Sequence, residues 1–320
     1  MKLVMLPPQT DITLGWARRL AATLPAVEVV VAEGVQQAQH EIVDADAVYG
    51  VLTPDLLARA TRLRWLQAPQ AAPPAGFYFP ALVAHPVVVT NFREIFNDHI
   101  GAHIMAFVYG FARGFHYYIP QQMRRAWTKP PEDRGVVDLH SATALIVGLG
   151  GIGAEAARLL AAAGVRVIGT DARRGEAPAH VAEMHRPEAL DGLLGRADFV
   201  ISTVPHTPAT EGMFDRARFR RMRREAFFIN IGRGMTTRLD DLAAALAAGE
   251  IAGAGLDVYE VEPLPADHAL WTMPGVMMTP HMAGYGPHLN ERRYRILSDN
   301  ARALVEGGAM RNVVDKAVWF

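Results

Sequence analysis

Between residues 143 and 171 the chain runs through an apolar segment, a glycine cluster, an alanine-rich segment and a second apolar segment closed by an aspartate. Few folds satisfy that order. Thr143-Ala144-Leu145-Ile146-Val147 reads as a buried strand, followed at once by Gly148-Leu149-Gly150-Gly151-Ile152-Gly153 and by a helix over 154–163. Gly148 permits a tight turn, Gly150 lets the backbone approach a diphosphate, and Gly153 lets the helix pack closely on the sheet. Gly151 and Ile152 open that helix, whose free N–H groups and positive dipole end favour an anion. The second strand, Val165 to Thr170, ends on Asp171, near the ~20-residue spacing at which a carboxylate reaches the hydroxyls of an adenosine ribose. A glycine cluster alone is also compatible with a plain structural turn. Strand, glycines, helix, second strand and terminal Asp together predict a dinucleotide site on a parallel, doubly wound sheet.

The chain has 320 residues, too many for one ordinary core, and suits two compact domains. Short apolar runs at 3–6, 27–31, 47–51 and 63–66 alternate with amphipathic segments at 14–24 and 56–60, which predicts a first β/α domain. Residues 70–80, rich in Ala and Pro, read as irregular and exposed to a cleft. From Asp98 to about Arg125, Ile100, Ile104, Phe107, Val108, Phe111 and Phe115 recur at helical spacing and predict one long helix, with a loop over 128–138 after it. A second β/α series follows to residue 278, with segments at 144–147, 155–163, 165–168, 188–194, 199–204, 227–231, 239–248, 254–258 and 276–278. Residues 287–306 read as a helix returning the chain to its first domain. The expected division is 1–97 with 286–320 for a substrate domain of flavodoxin-like form, and 98–285 for an inserted Rossmann domain.

Composition removes several classes of function. Lys and Arg number 32 against 33 Asp and Glu, with no basic block of the kind nucleic-acid binding needs. Cysteine is absent, which excludes disulfides, thiolate nucleophiles and Cys-ligated metals, and no metal site is expected. No run approaches the ~18–20 apolar residues of a membrane span, and the first residues are too short an apolar run for a signal peptide. A cytoplasmic protein with a small-molecule substrate is the expectation.

Three later strands end on polar groups, where open α/β sheets gather ligands. Phe227–Ile231 leads into Gly232-Arg233-Gly234, and a guanidinium there can fork onto a carboxylate. Gly253 to Val258 reads as another buried strand with Asp257 near its end, followed by Glu260 and Glu262, acids that in a loop would ordinarily be solvated. Met277-Met278-Thr279-Pro280 leads into His281. A lone His or Arg is more often structural than chemical, but three such strand ends in one series make coincidence the poorer account.

These motifs, from Gly148 to Gly284, resemble those of the D-isomer-specific 2-hydroxyacid dehydrogenases, with a looser match over most of the chain. The resemblance implies hydride transfer between NAD(H) and a small 2-hydroxy or 2-oxo acid. It implies Arg233 as the group binding substrate carboxylate and oxo oxygen, His281 as acid/base, and Glu262 as the residue orienting and charging that His. His suits the task because it exchanges protons near neutrality. The resemblance further implies Asp257 against the nicotinamide amide, and Val204, Pro205, Thr210, Ile231, Gly232 and Gly284 as other cofactor-binding positions. A homodimer is implied too, with the helix over 100–118 in a two-fold interface.

The substrate half departs from the family. Its usual Gly-x-Gly-Val-Asp-like turn is replaced by Ala68-Pro69-Gln70-Ala71-Ala72-Pro73-Pro74, in which Pro73 and Pro74 cannot donate a backbone hydrogen bond. Ala102 stands where the family carries a Glu opening the long helix. The particular 2-hydroxy acid is therefore left open. Two rival readings are a redox-silent NAD-binding scaffold, and a formate- or phosphite-type dehydrogenase; formate enzymes usually carry Gln where Glu262 stands. For the coenzyme, Asp171 should repel the 2′-phosphate of NADP, while Arg173 and Arg174 could pair with it. With the arginines expected to face water on a mobile loop, NAD is favoured over NADP.

Overall fold

The computed structural model describes residues 1–71, 74, 76–129 and 136–317. The chain divides into two compact units, Met1–Ile95 with Pro287–Phe320, and Phe96–Gly286. In the first unit, strands β1 (Lys2–Met5), β2 (Glu28–Val31), β3 (Ala47–Tyr49), β4 (Trp65–Gln67) and β5 (Val88–Thr90) alternate with helices α1 (Asp11–Thr23), α2 (Val35–Glu41), α3 (Pro54–Arg59) and α4 (Pro80–Ala84). All strand pairs are parallel, in the order β2-β1-β3-β4-β5, the flavodoxin-like doubly wound arrangement. Both faces of such a sheet are covered, so β1 and β3 read as short unbroken apolar runs. A helix over Leu289–Glu306 closes this unit, its buried stripe Tyr294, Leu297, Ala301 and Leu304 spaced three and four residues apart. Residues 70–80 are not wholly irregular or exposed: α4 begins at Pro80, and Phe77 is buried in the core. Ala72 and Pro73 lie outside the described residues, as do 130–135 of the loop expected over 128–138.

The second unit opens with α5 (Asn97–Ala112) and α6 (Phe115–Met123). The single helix expected here is broken at Gly114, whose φ of 72° is left-handed and stops the helix. Ile104, Phe107, Val108 and Phe111 of α5 are buried, with Phe111 stacked on Phe227 at 4.4 Å between ring centroids. The apolar periodicity is thus real packing along α5, whereas Phe115, in α6, is exposed.

Seven strands follow: β6 (Thr143–Val147), β7 (Arg166–Thr170), β8 (Glu183–His185), β9 (Phe199–Ser202), β10 (Phe227–Asn230), β11 (Gly253–Leu256) and β12 (Val276–Met278). They pair in parallel as β12-β11-β10-β9-β6-β7-β8. The winding direction reverses between β6 and β9, so their C-terminal ends flank the crevice in which doubly wound sheets take ligands. The helices are α7 (Gly151–Ala162), the short α8 (Leu190–Leu193), α9 (Arg216–Arg221) and α10 (Leu239–Ala247). Two apolar clusters, one on each face, hold the sheet. β8 and α9 carry no apolar run in sequence. β8 is an edge strand, and four of the six residues of α9 are arginine, with Phe219 as its buried anchor and Asp215 accepting from the Arg218 N–H at its start. Among the described residues, no helix is long and apolar enough to cross a membrane.

Candidate active site

The glycine-rich turn has the form its sequence requires. Gly148 has φ of 97°, and its carbonyl oxygen lies 2.0 Å from where a Cβ on Gly153 would stand, so that only glycine allows α7 to start this close to the strand. A Cβ on Gly150 would meet nothing within 4 Å. That open side, at the N-terminus of the 12-residue α7, suits a diphosphate. Gly151 is packed by the Asn97 amide, and Ile152 is partly buried.

Asp171 closes β7 as expected, and both its oxygens are engaged. Oδ2 accepts from the Leu149 N–H at 2.8 Å, and Oδ1 from the Arg173 and Arg174 N–H groups, each at 2.8 Å. Burial works against its charge, but these three donors outweigh it and hold the carboxyl below the usual carboxylate range. Both arginine side chains are exposed, as expected, but that of Arg174 is also tethered. Its Nε donates to the Leu149 carbonyl at 2.5 Å, because the turn at Asp171 folds the guanidinium back onto the glycine loop.

Val204 and Gly232 meet this loop and each other: the Val204 side chain would lie 3.0 Å from a Cβ on Gly148, and the Val204 carbonyl 2.6 Å from one on Gly232. The Gly232 N–H donates to Asn230 Oδ1 at 3.0 Å, and Ile231 is buried beside it. The Thr210 hydroxyl donates to the Pro205 carbonyl at 2.7 Å, which shapes the exposed 205–210 turn. Gly284 lies beside Phe96.

The three residues with chemistry to offer come from the ends of β10, β11 and β12. Glu262 bridges two partners: Oε1 accepts from the Tyr259 N–H at 3.0 Å, and Oε2 lies 2.6 Å from His281 Nδ1. A carboxylate only accepts, so Nδ1 carries the proton and Nε2 is the nitrogen turned to a reacting group. His281 is half exposed and has φ of 50°. Arg233 is partly buried and Nη1 donates to the Gly232 carbonyl at 2.6 Å, but it pairs with no carboxylate among the described residues. Burial pushes its guanidinium down, with the nearby Glu262 opposing, yet an arginine stays charged, so the group is a cation in want of an anion.

Asp257 is 1% exposed and both its oxygens accept hydrogen bonds. Oδ1 accepts from Thr279 Oγ1 at 2.6 Å and the Met282 N–H at 2.8 Å, and Oδ2 from the Ala283 N–H at 2.9 Å. Glu260 is no solvated charge either, since it accepts from the Leu239 N–H at 2.7 Å and caps α10. Sequence reasoning missed Tyr259, whose hydroxyl donates to the Thr279 carbonyl at 2.9 Å, and missed Thr279 and His103. Tyr259 acts partly through its backbone N–H, which no side-chain pattern reports.

A glycine turn at a topological switch point, an acidic strand end and a His–Glu pair beside an unpaired Arg define a dinucleotide-dependent oxidoreductase. Residues 105–283 match the profile of the D-isomer specific 2-hydroxyacid dehydrogenase NAD-binding domain. The glyoxylate/hydroxypyruvate reductase B of Citrobacter koseri is 35% identical over 248 residues, 76% of this chain and 75% of that one. Its counterpart in Klebsiella pneumoniae is 36% identical over 249 residues, 76% of each. A solved structure of an NADPH-dependent glyoxylate/hydroxypyruvate reductase from Sinorhizobium meliloti, in complex with NADP and sulfate, is similar at TM-score 0.81 and 27% identity, covering 100% of this chain and 99% of that one. A family enzyme from Xanthobacter autotrophicus in complex with NADPH and MES is similar at TM-score 0.81 and 29% identity, with the same coverage. The chain belongs to the D-isomer specific 2-hydroxyacid dehydrogenase family, and its fold and relatives make it an NAD(P)-linked hydroxyacid oxidoreductase.

Proposed function

We propose that this protein reduces small 2-oxo acids to D-2-hydroxy acids, with His281 as the proton donor, Glu262 as its orienting partner and Arg233 as the substrate's carboxylate anchor. The observation that carries this reading is the 2.6 Å contact between His281 Nδ1 and Glu262, because it turns Nε2 outward as the proton-bearing atom. A bound nicotinamide coenzyme supplies the hydride delivered to C2. His281 gives the Nε2 proton to the oxo oxygen as C2 takes the hydride, and recovers it from solvent. Glu262 stabilises the imidazolium before that transfer. Arg233 neutralises the substrate carboxylate and draws electron density toward the oxo oxygen. In the oxidative direction each step reverses, and His281 accepts the hydroxyl proton.

Gly148, Gly150, Gly151 and Gly153 would hold the diphosphate and Asp171 the adenosine ribose, with Val204, Pro205, Thr210, Ile231, Gly232 and Gly284 lining the rest. We infer that NADH is preferred, since Asp171 is held charged where a 2′-phosphate would sit, and that Arg174 beside it leaves NADPH as the weaker alternative. We further infer a homodimer. Tyr109, Phe115, Tyr117, Tyr118 and Ile119 of α5 and α6, with Trp127, are exposed, and so much apolar surface is unusual on a monomer. Steady-state oxidation of NADH with glyoxylate, hydroxypyruvate and larger 2-oxo acids tests the activity. Absence of turnover across that panel with both coenzymes would leave a nucleotide-binding scaffold instead. Arg233→Ala should raise KM for every accepted acid by about 10²-fold, the order of a charge-assisted bidentate pair.

A further inference from the structure

A non-glycine residue at φ of 50° occupies a sparsely populated conformation, so His281 keeps its place only if its surroundings fix the backbone around it. Those surroundings are a short hydrogen-bond chain. The Met282 and Ala283 N–H groups both donate to Asp257, and the His281 N–H donates to the Thr279 carbonyl at 3.1 Å. The Thr279 hydroxyl also donates to Asp257, at 2.6 Å. His103 Nε2 from α5 stands 2.9 Å from that hydroxyl and 3.9 Å from Asp257 Oδ1.

The protons on this chain can be counted. A hydroxyl has one hydrogen, and that of Thr279 is committed to a carboxylate that only accepts, so toward His103 the oxygen must accept. His103 Nε2 must then carry hydrogen. Burial pushes His103 below its ordinary value, with Asp257 opposing, which keeps the ring neutral and leaves Nδ1 bare. The ring is fixed edge-to-face on Phe107, 4.9 Å between centroids. Without this donor the Thr279 hydroxyl has two lone pairs unclaimed and can leave Asp257 for another rotamer.

We propose that His103 is a positioning residue for the reaction: as the neutral Nε2–H tautomer it locks the Thr279 hydroxyl onto Asp257, and so fixes the backbone that presents His281. The proposal rests on His281 as the acid/base group. It differs from a packing role for His103 in requiring a donor at one particular atom.

Two measurements on the full-length protein test it. Long-range ¹H–¹⁵N spectra of ¹⁵N-histidine-labelled protein, with the His103 signals among twelve histidines identified by their loss in His103→Gln, should show a protonated Nε2 and a bare Nδ1 at neutral pH. An Nδ1–H tautomer or a doubly protonated ring overturns the proposal. In kinetics, His103→Phe keeps ring packing and removes the donor, and should lower kcat about 10-fold with Kd for NADH and Tm nearly unchanged. His103→Gln, whose amide can donate from a similar point, should restore most of the loss. Wild-type kcat in His103→Phe, or equal losses in the two variants, overturns it. If His103→Phe does not fold, the isosteric Thr279→Val cuts the chain at its middle and should show the same split, an unaltered kcat there counting against the proposal. The spectrum reads His103 alone, whereas full turnover in His281→Ala would sink the acid/base reading, so the two failures are distinct.

Discussion

Substituting alanine at Gly153 should lower stability and at Gly150 should leave it unchanged, while both weaken coenzyme binding. At Gly153 the added Cβ would lie 2.0 Å from the Gly148 carbonyl oxygen. An ordinary C···O contact is about 3.3 Å, so the turn and the helix must separate by about 1.3 Å. Overpacking against backbone costs about 1–3 kcal/mol, which for a domain of this size lowers Tm by roughly 2–12 °C. The same displacement exceeds the tolerance of N–H···O bonds to a diphosphate, so Kd for NADH should rise on the order of 100-fold. At Gly150 the backbone, with φ of −65° and ψ of −162°, accepts an L residue, and the new methyl meets no protein atom within 4 Å. Tm should therefore hold, while the methyl enters the space given to the diphosphate and weakens NADH by about 10–100-fold, or ~1.4–2.8 kcal/mol. Fluorescence titration of NADH and thermal melts of the two variants suffice. Wild-type NADH affinity in Gly150→Ala would show that the diphosphate does not lie against this turn.

His281→Ala should reduce turnover about 10²–10⁴-fold and leave NADH binding intact; near-normal rates in a stopped assay would exclude it as the proton donor. Asp171→Ser should raise kcat/KM for NADPH and lower it for NADH, because it removes the repulsive carboxylate while Arg174 stays on the glycine loop. A wild-type preference for NADPH would show that the arginines govern that site. Light scattering at micromolar concentration should give twice the 34.9 kDa chain mass, and a monomer would leave the exposed aromatics of α6 without the partner inferred for them.

The parts of the fold that sequence made legible are those in which one physical demand dominates. β6, β7, β9 and β10 are buried on both faces along most of their length and read as short apolar runs there, and Gly153 between β6 and α7 is required by a contact as close as 2.0 Å. The helix break at Gly114 was hidden because apolar spacing continues across it, Phe115 lying in step with Phe111 but exposed. β8 and α9 were invisible for the converse reason: an edge strand and an arginine-rich surface helix bury too little to leave a pattern. In the candidate site, Arg233 and His281 stand just past strand ends and could be singled out by residue type, whereas Glu262, six residues past β11, is singled out only by the family resemblance. What holds them could not. Tyr259 contributes a backbone N–H, His103 reaches Thr279 from 176 residues away in sequence, and Arg174 folds onto Leu149 through a turn set by Asp171.

The central claim is hydride transfer to C2 of a 2-oxo acid with His281 supplying the proton, and isotope transfer reads it directly. NADH deuterated at the transferring C4 position is incubated with the best acid from the panel, and the product is resolved by chirality and mass. The account predicts a D-2-hydroxy acid carrying one deuterium at C2, formed by the wild type and nearly abolished in His281→Ala. A product without deuterium at C2, or labelled product formed at an undiminished rate by His281→Ala, would contradict it.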